Sequence, residues 1–139
     1  MPDKRDKGIQ VISEMMGPEF ARQMLSGEDS GDFCGDVGAM AVEHAFGMVW
    51  SRPGLERKQR SLVTLSVLLT LGQIAEFKNH VRIAISNGWT VLELQEILIQ
   101  TIPYAGYPAF ASACSATVEV LRELGLDTRT RTAEEKGLL

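Results

Sequence analysis

The chain has 139 residues, 45% of them hydrophobic and 23% charged, and a formal net charge of −4. That length fits one domain able to bury about two-thirds of its unfolded surface. The acidic balance excludes the basic face of a nucleic-acid binder. Neither a signal-peptide core nor a bilayer-spanning run stands out, so a soluble, cytoplasmic protein with no membrane partner is expected.

Helical signals dominate from the start. "KRDKGIQVISEMMG" predicts a first helix ended by Gly17, and Pro18 suits the first turn of a second helix reaching Leu25. "SGEDSGD" is a polar, glycine-bearing loop. A third helix is predicted over 33–50, with Val37, Met40, Ala41, His44, Ala45 and Met48 as its stripe; "SRPG" breaks it. The fourth, 55–71, turns from charged to apolar nearly all round in "SLVTLSVLLTL", which predicts a central position. Gly72 ends it.

The fifth helix spans 73–87, with Phe77, Val81, Ala84 and Ile85 as its core face and Gly88 closing it. Thr90 with Glu93 matches a capping box and opens the sixth, whose stripe is Leu94, Ile97, Leu98, Thr101 and Ile102. Pro103 and "YAGYP" are expected to interrupt before a seventh helix, opened by Pro108 and closed by Gly125. The charged tail, 127–139, is expected to be loosely held. The fold class is therefore all-α: one domain over 1–139, a bundle of six to seven helices.

Candidates for chemistry are few. The two cysteines, Cys34 and Cys114, show neither C-x-x-C nor metal-ligand spacing, so no metal site is expected. The two histidines are His44 and His80. Positions i and i+4 of a helix point within about 40° of each other, so Glu76 and His80 share a face at the edge of the fifth helix's core stripe. A carboxylate there favours the imidazolium and fixes its orientation, as a general acid requires. The plainer reading is a surface pair worth a few tenths of a kcal/mol. Arg60, just before the apolar run, suits a carboxylate ligand or a simple salt bridge. His44, Trp50 and Tyr104 are each either pocket wall or packing.

"FGMVWSRPGLERKQRSLVTL", "EFKNHVRIAISNGWTVLELQEIL" and "YAGYPA", in that order, resemble the γ-carboxymuconolactone decarboxylase family over residues 45–118. The resemblance implies an all-helical subunit assembled as a homotrimer or homohexamer, with active sites near subunit contacts. It also implies cofactor-independent loss of carbon dioxide from a small lactone or carboxylate through a dienolate. His80 would donate the proton, Glu76 would orient it, and Arg60 would hold the anion. Tyr104 would line the pocket, with His44 and Trp50 as further substrate contacts. Related alkylhydroperoxidase D-type proteins carry C-x-x-C-x-x-x-H; here Glu76 holds the position four before His80 and Phe77 the one three before, and neither can be a redox cysteine, so no dithiol forms. Met48, Ile83 and Ala111 depart from residues often seen in the decarboxylases. They leave open a bulkier keto acid or lactone (for decarboxylation, isomerisation or cyclisation) or a non-catalytic binding protein.

Overall fold

A computed structural model describes residues 3–139, and all regular structure among them is helical. No helix is long and apolar enough to cross a membrane. The chain forms two compact units, 1–57 and 58–139.

In the first unit, α1 (Lys4–Met16) begins where the Asp3 side chain accepts a hydrogen bond from the Asp6 N–H at 2.8 Å. It buries Gly8, Val11, Ile12 and Met15, the i, i+3, i+4, i+7 spacing of a helix face. Gly17, at φ 92°, ends it, and Pro18 opens α2 (Pro18–Leu25) as expected. The third helix departs from expectation. Phe33 is 98% exposed, α3 (Val37–Ala41) is short, and the chain continues as a π-helical segment, Val42–Trp50.

A π winding, closed by i→i+5 bonds such as Ser51 N–H to Phe46 O at 3.2 Å, shifts every later side chain off the 3.6-residue register. Ala39 of α3 and Val42 and Gly47 of the π segment are buried, while Val37, Met40 and Met48 of the expected stripe are exposed. Backbone contact explains the choice of residues. A β-carbon on Gly47 would lie 1.9 Å from the Lys4 carbonyl oxygen, and one on Gly8 would lie 2.0 Å from that of Val42. Only glycine lets α1 and the π segment approach so closely. Arg5 adds a forked ion pair to Glu28, with Nη1 donating at 2.8 Å, and the guanidinium holds that carboxyl below its ordinary range.

The second unit begins with α4 (Arg57–Leu71). It was expected at the centre, yet only Ser61, Leu65 and Leu69 are buried. Val63, Val67 and Leu71, the i, i+4, i+8 stripe, are 56%, 50% and 65% exposed. The helix thus packs on one face and offers another apolar face outward. α5 (Ile74–Ser86) and α7 (Tyr107–Glu123) flank a core of Leu65, Leu69, Phe77, Val81, Ala84, Leu94, Leu98, Ala113, Ala116 and Val120.

α6 (Val91–Ala105) opens with the predicted capping box: the Glu93 N–H donates to Thr90 Oγ1, and the Thr90 N–H to Glu93 Oε1, each at 3.1 Å. It runs through Pro103, where a break was expected. Pro103 sits in the final turn, so it forfeits one backbone bond without kinking a long helix interior. Gly106, at φ 93°, makes the break instead.

The tail expected to be loose carries its own hydrogen bonds. Asp127 accepts from the Thr130 N–H and hydroxyl at 2.9 and 2.6 Å, which holds its carboxyl down to about 2. Thr132 and Glu135 cap each other at 3.1 Å, and Arg122 reaches Thr130 O at 3.0 Å and Glu135 at 2.8 Å.

Replacing Gly47 by Ala tests the close approach. Alanine in an open helix position would stabilise by up to about 1 kcal/mol. Here overpacking should reverse the sign and destabilise by about 1–3 kcal/mol in urea unfolding.

Candidate functional site

The core residues of α5 set its rotation. Phe77, Val81 and Ala84 are fully buried, and two ion pairs tie the same helix to α7: Lys78 to Glu119, and Arg82 to Glu123 at 2.7 Å. With that rotation fixed, the neighbouring face grades inward along the helix. Gln73 and Glu76 are exposed, His80 is half-buried, and Ile83 is 3% exposed. The carboxylate sits outside and the imidazole at the boundary, with its Nδ1 atom shielded from solvent.

Two forces act on that ring in opposite directions. Burial disfavours the imidazolium, and the Glu76 carboxylate favours it; burial is the larger, so the pKa lies below the ordinary 6.5. This corrects the expectation that Glu76 would keep the ring charged. Glu76 is exposed, so water screens its field and leaves burial the larger effect.

Arg60 lies in the first turn of α4, half-buried, and its carbonyl accepts from the Thr64 hydroxyl at 2.9 Å. The same turn is braced by the loop between α5 and α6. Asn87 Nδ2 donates to the buried Ser61 hydroxyl at 2.9 Å, and Trp89 Nε1 donates to Lys58 O at 2.6 Å. The Lys58 ammonium stands 4.5 Å from the centre of the Trp89 ring and 3.4 Å from the Glu93 carboxylate. Single-sequence reasoning missed this brace. Its signal was present in "NGWT", where a turn delivers an indole N–H back toward the preceding helix.

Tyr104 belongs to α6 rather than to a breaking turn, and it is 84% exposed. It stands at one end of a groove of about 650 Å³ between α4 and α6, lined mainly by apolar groups with Ser66, Thr70, Glu96 and Gln100 among the polar ones. Glu76, His80 and Arg60 are not in that lining, so this groove is not where the acid–imidazole couple lies. His44 and Trp50 are in the first unit: His44 is exposed, and Trp50 stacks on Phe46 at 6.2 Å with planes 20° apart. Among the described residues no cluster of three or more His, Cys, Asp or Glu could hold a metal.

The model of the carboxymuconolactone decarboxylase family matches residues 35–119. The chain belongs to that family. It therefore has the alkylhydroperoxidase D-like helical fold. It is 40% identical over 120 residues to a 4-carboxymuconolactone decarboxylase of Acinetobacter baylyi, covering 86% of this chain and 88% of the relative. It is 34% identical over 119 residues to a nitrosuccinic acid decarboxylase of Metarhizium robertsii, covering 86% and 82%. A protein of Paracoccus denitrificans of unassigned function is 32% identical over 89 residues, covering 63% and 66%. The chain is a decarboxylase of this family, a carboxy-lyase.

The histidine's environment has a consequence for stability. Unfolded, the imidazole takes a proton near 6.5; folded, it resists one. The unfolded chain then binds more protons as pH falls below 6.5, so stability drops across that window. Urea midpoints measured from pH 8 to pH 5 should fall less steeply in His80→Gln than in the wild type. Parallel profiles would remove His80 from the set of desolvated groups.

Proposed function

We propose that this decarboxylase acts without a cofactor on a small acid of the 4-carboxymuconolactone type, whose own structure accepts the electrons released. In such a butenolide, the bond to the departing carboxylate breaks and its electron pair moves through the ring double bond onto the lactone carbonyl oxygen. Carbon dioxide leaves, a dienolate remains, and a proton returns to carbon. The protein has three tasks: to hold an anion, to stabilise the developing oxyanion, and to deliver the proton.

The observation that carries this proposal is the Glu76–His80 couple, held on one face of α5 with the imidazole desolvated. In the empty site the ring is neutral at neutral pH. An anionic substrate beside it favours the imidazolium, so binding loads the acid that the dienolate then discharges. Glu76 orients the ring. Arg60 offers a planar fork to a carboxylate or to the oxyanion, where one well-placed donor is worth about 3–4 kcal/mol. Tyr104 is the further proposed substrate contact within the second unit.

The acids for which the two decarboxylase relatives are named support the emphasis on an electron sink. Carboxymuconolactone has its conjugated lactone; nitrosuccinic acid has a nitro group on the carbon beside a carboxylate, which can receive the pair as a nitronate. Rings are not required, only an acceptor in conjugation with the breaking bond. A second acid of that kind, bulkier or acyclic, is therefore the alternative substrate, and Met48 and Ile83 in place of more polar or smaller groups favour it.

An assembly of identical chains, a trimer or hexamer, is part of the same proposal. It is supported by the exposed apolar stripe of Val63, Val67 and Leu71 on α4. Light scattering should give a molar mass three or six times that of the chain, and Val67→Glu should lower it. A monomeric wild type would refute the assembly.

Carbon dioxide release from carboxymuconolactone, nitrosuccinate and a panel of larger keto acids tests the reaction. His80→Gln should lower kcat by at least about a hundredfold with folding intact. Arg60→Leu should raise KM for the anion. Full activity of the histidine variant would assign the proton to another group.

A further inference from the structure

We propose that two small adjoining cavities on α7, closed by the C-terminal segment, form a binding site for a small monocarboxylate with an apolar body. They have volumes of about 180 and 160 Å³, and Phe110, Cys114, Val118 and Thr130 stand in the walls of both. The site is separate from the Glu76–His80 couple and does not depend on the reaction proposed for it.

Size and charge select the ligand. Pockets for drug-sized molecules run to about 300–1,000 Å³, so these hold something nearer benzoate. The inner walls are α7 side chains and the Phe110 ring. The charged groups lining the larger cavity are Arg131 and Lys136, both cationic, in a chain whose net charge is −4. Lys136 lies near enough for its field to act on the Cys114 thiol, which burial nonetheless keeps protonated.

Nearby acids already have partners. Asp127, in the wall of the smaller cavity, is held by Thr130; Glu134 bonds the Ser115 hydroxyl; Glu135 is held by Arg122. Arg131 donates to the Glu135 carbonyl oxygen at 2.8 Å, which fixes its place on the segment. A carboxylate would meet the guanidinium and the ammonium while its apolar end lies along α7. The closing residues, 127–139, fall outside the matched family region of 35–119. The site thus joins α7 to a C-terminal segment that lies beyond the matched region.

Cys114 supplies the reporter. In full-length Cys34→Ser protein it is the sole thiol, and its modification by N-ethylmaleimide can be timed against increasing benzoate at constant pH and ionic strength. Benzoate at ten times its Kd should slow the reaction about tenfold, saturably, while benzyl alcohol and benzylamine should not. Arg131→Gln combined with Lys136→Gln should abolish the protection. Should that double variant loosen the segment, seen as faster modification without benzoate, calorimetric titration of benzoate into Cys34→Ser protein that also carries Arg60→Leu, which removes the anion contact proposed for the reaction, decides the matter. Saturable heat there upholds the site. No saturable heat, no protection by benzoate, equal protection by the alcohol, or protection that survives the double substitution overturns it. Loss or absence of decarboxylase activity alters none of these outcomes.

Discussion

The rotation of α5 about its own axis is the constraint on which the site depends. Phe77, Val81 and Ala84 are buried completely, and each would have to leave the core for the helix to turn. Removing such side chains from their packing costs several kcal/mol, far more than a surface ion pair returns. Glu76 and His80 are therefore placed by residues that take no part in the chemistry. The core holds the imidazole at the boundary and leaves the carboxylate in water.

That placement decides which electrostatic effect dominates. A buried ring near an exposed carboxylate loses more hydration than the screened charge restores, and the ring stays neutral. Neutrality suits an enzyme for anionic acids. In the proposed reaction a permanently charged imidazolium would bind substrate and dienolate alike, whereas a ring that takes up its proton in the presence of the substrate's charge would be strengthened where catalysis needs it. The same logic places weight on Arg60, whose guanidinium keeps its charge whatever its surroundings.

Much of this was legible in the sequence because it follows from local rules. The cap at Thr90, the stop at Gly17 and the core face of Phe77, Val81 and Ala84 need only neighbouring residues to be read. The misreadings have tertiary causes. Gly8 and Gly47 look like weak points in helices until α1 and the π segment are seen to meet backbone to backbone, and the winding of 42–50 moves its stripe. The apolar α4 promised a central helix, but an outward stripe of Val63, Val67 and Leu71 reads the same along the chain as a buried one. Periodicity reports which faces are apolar, not what covers them. The sign of the His80 shift was equally out of reach, since it depends on burial that spacing alone does not give.

The most direct test is the titration of the His80 ring itself, followed by its imidazole carbon and nitrogen resonances in wild-type protein and in Glu76→Gln. The desolvated couple requires a midpoint below 6.5 in the wild type, displaced further downward once the carboxylate's charge is gone. A wild-type midpoint at or above that ordinary value, or one indifferent to the loss of Glu76, would contradict the account.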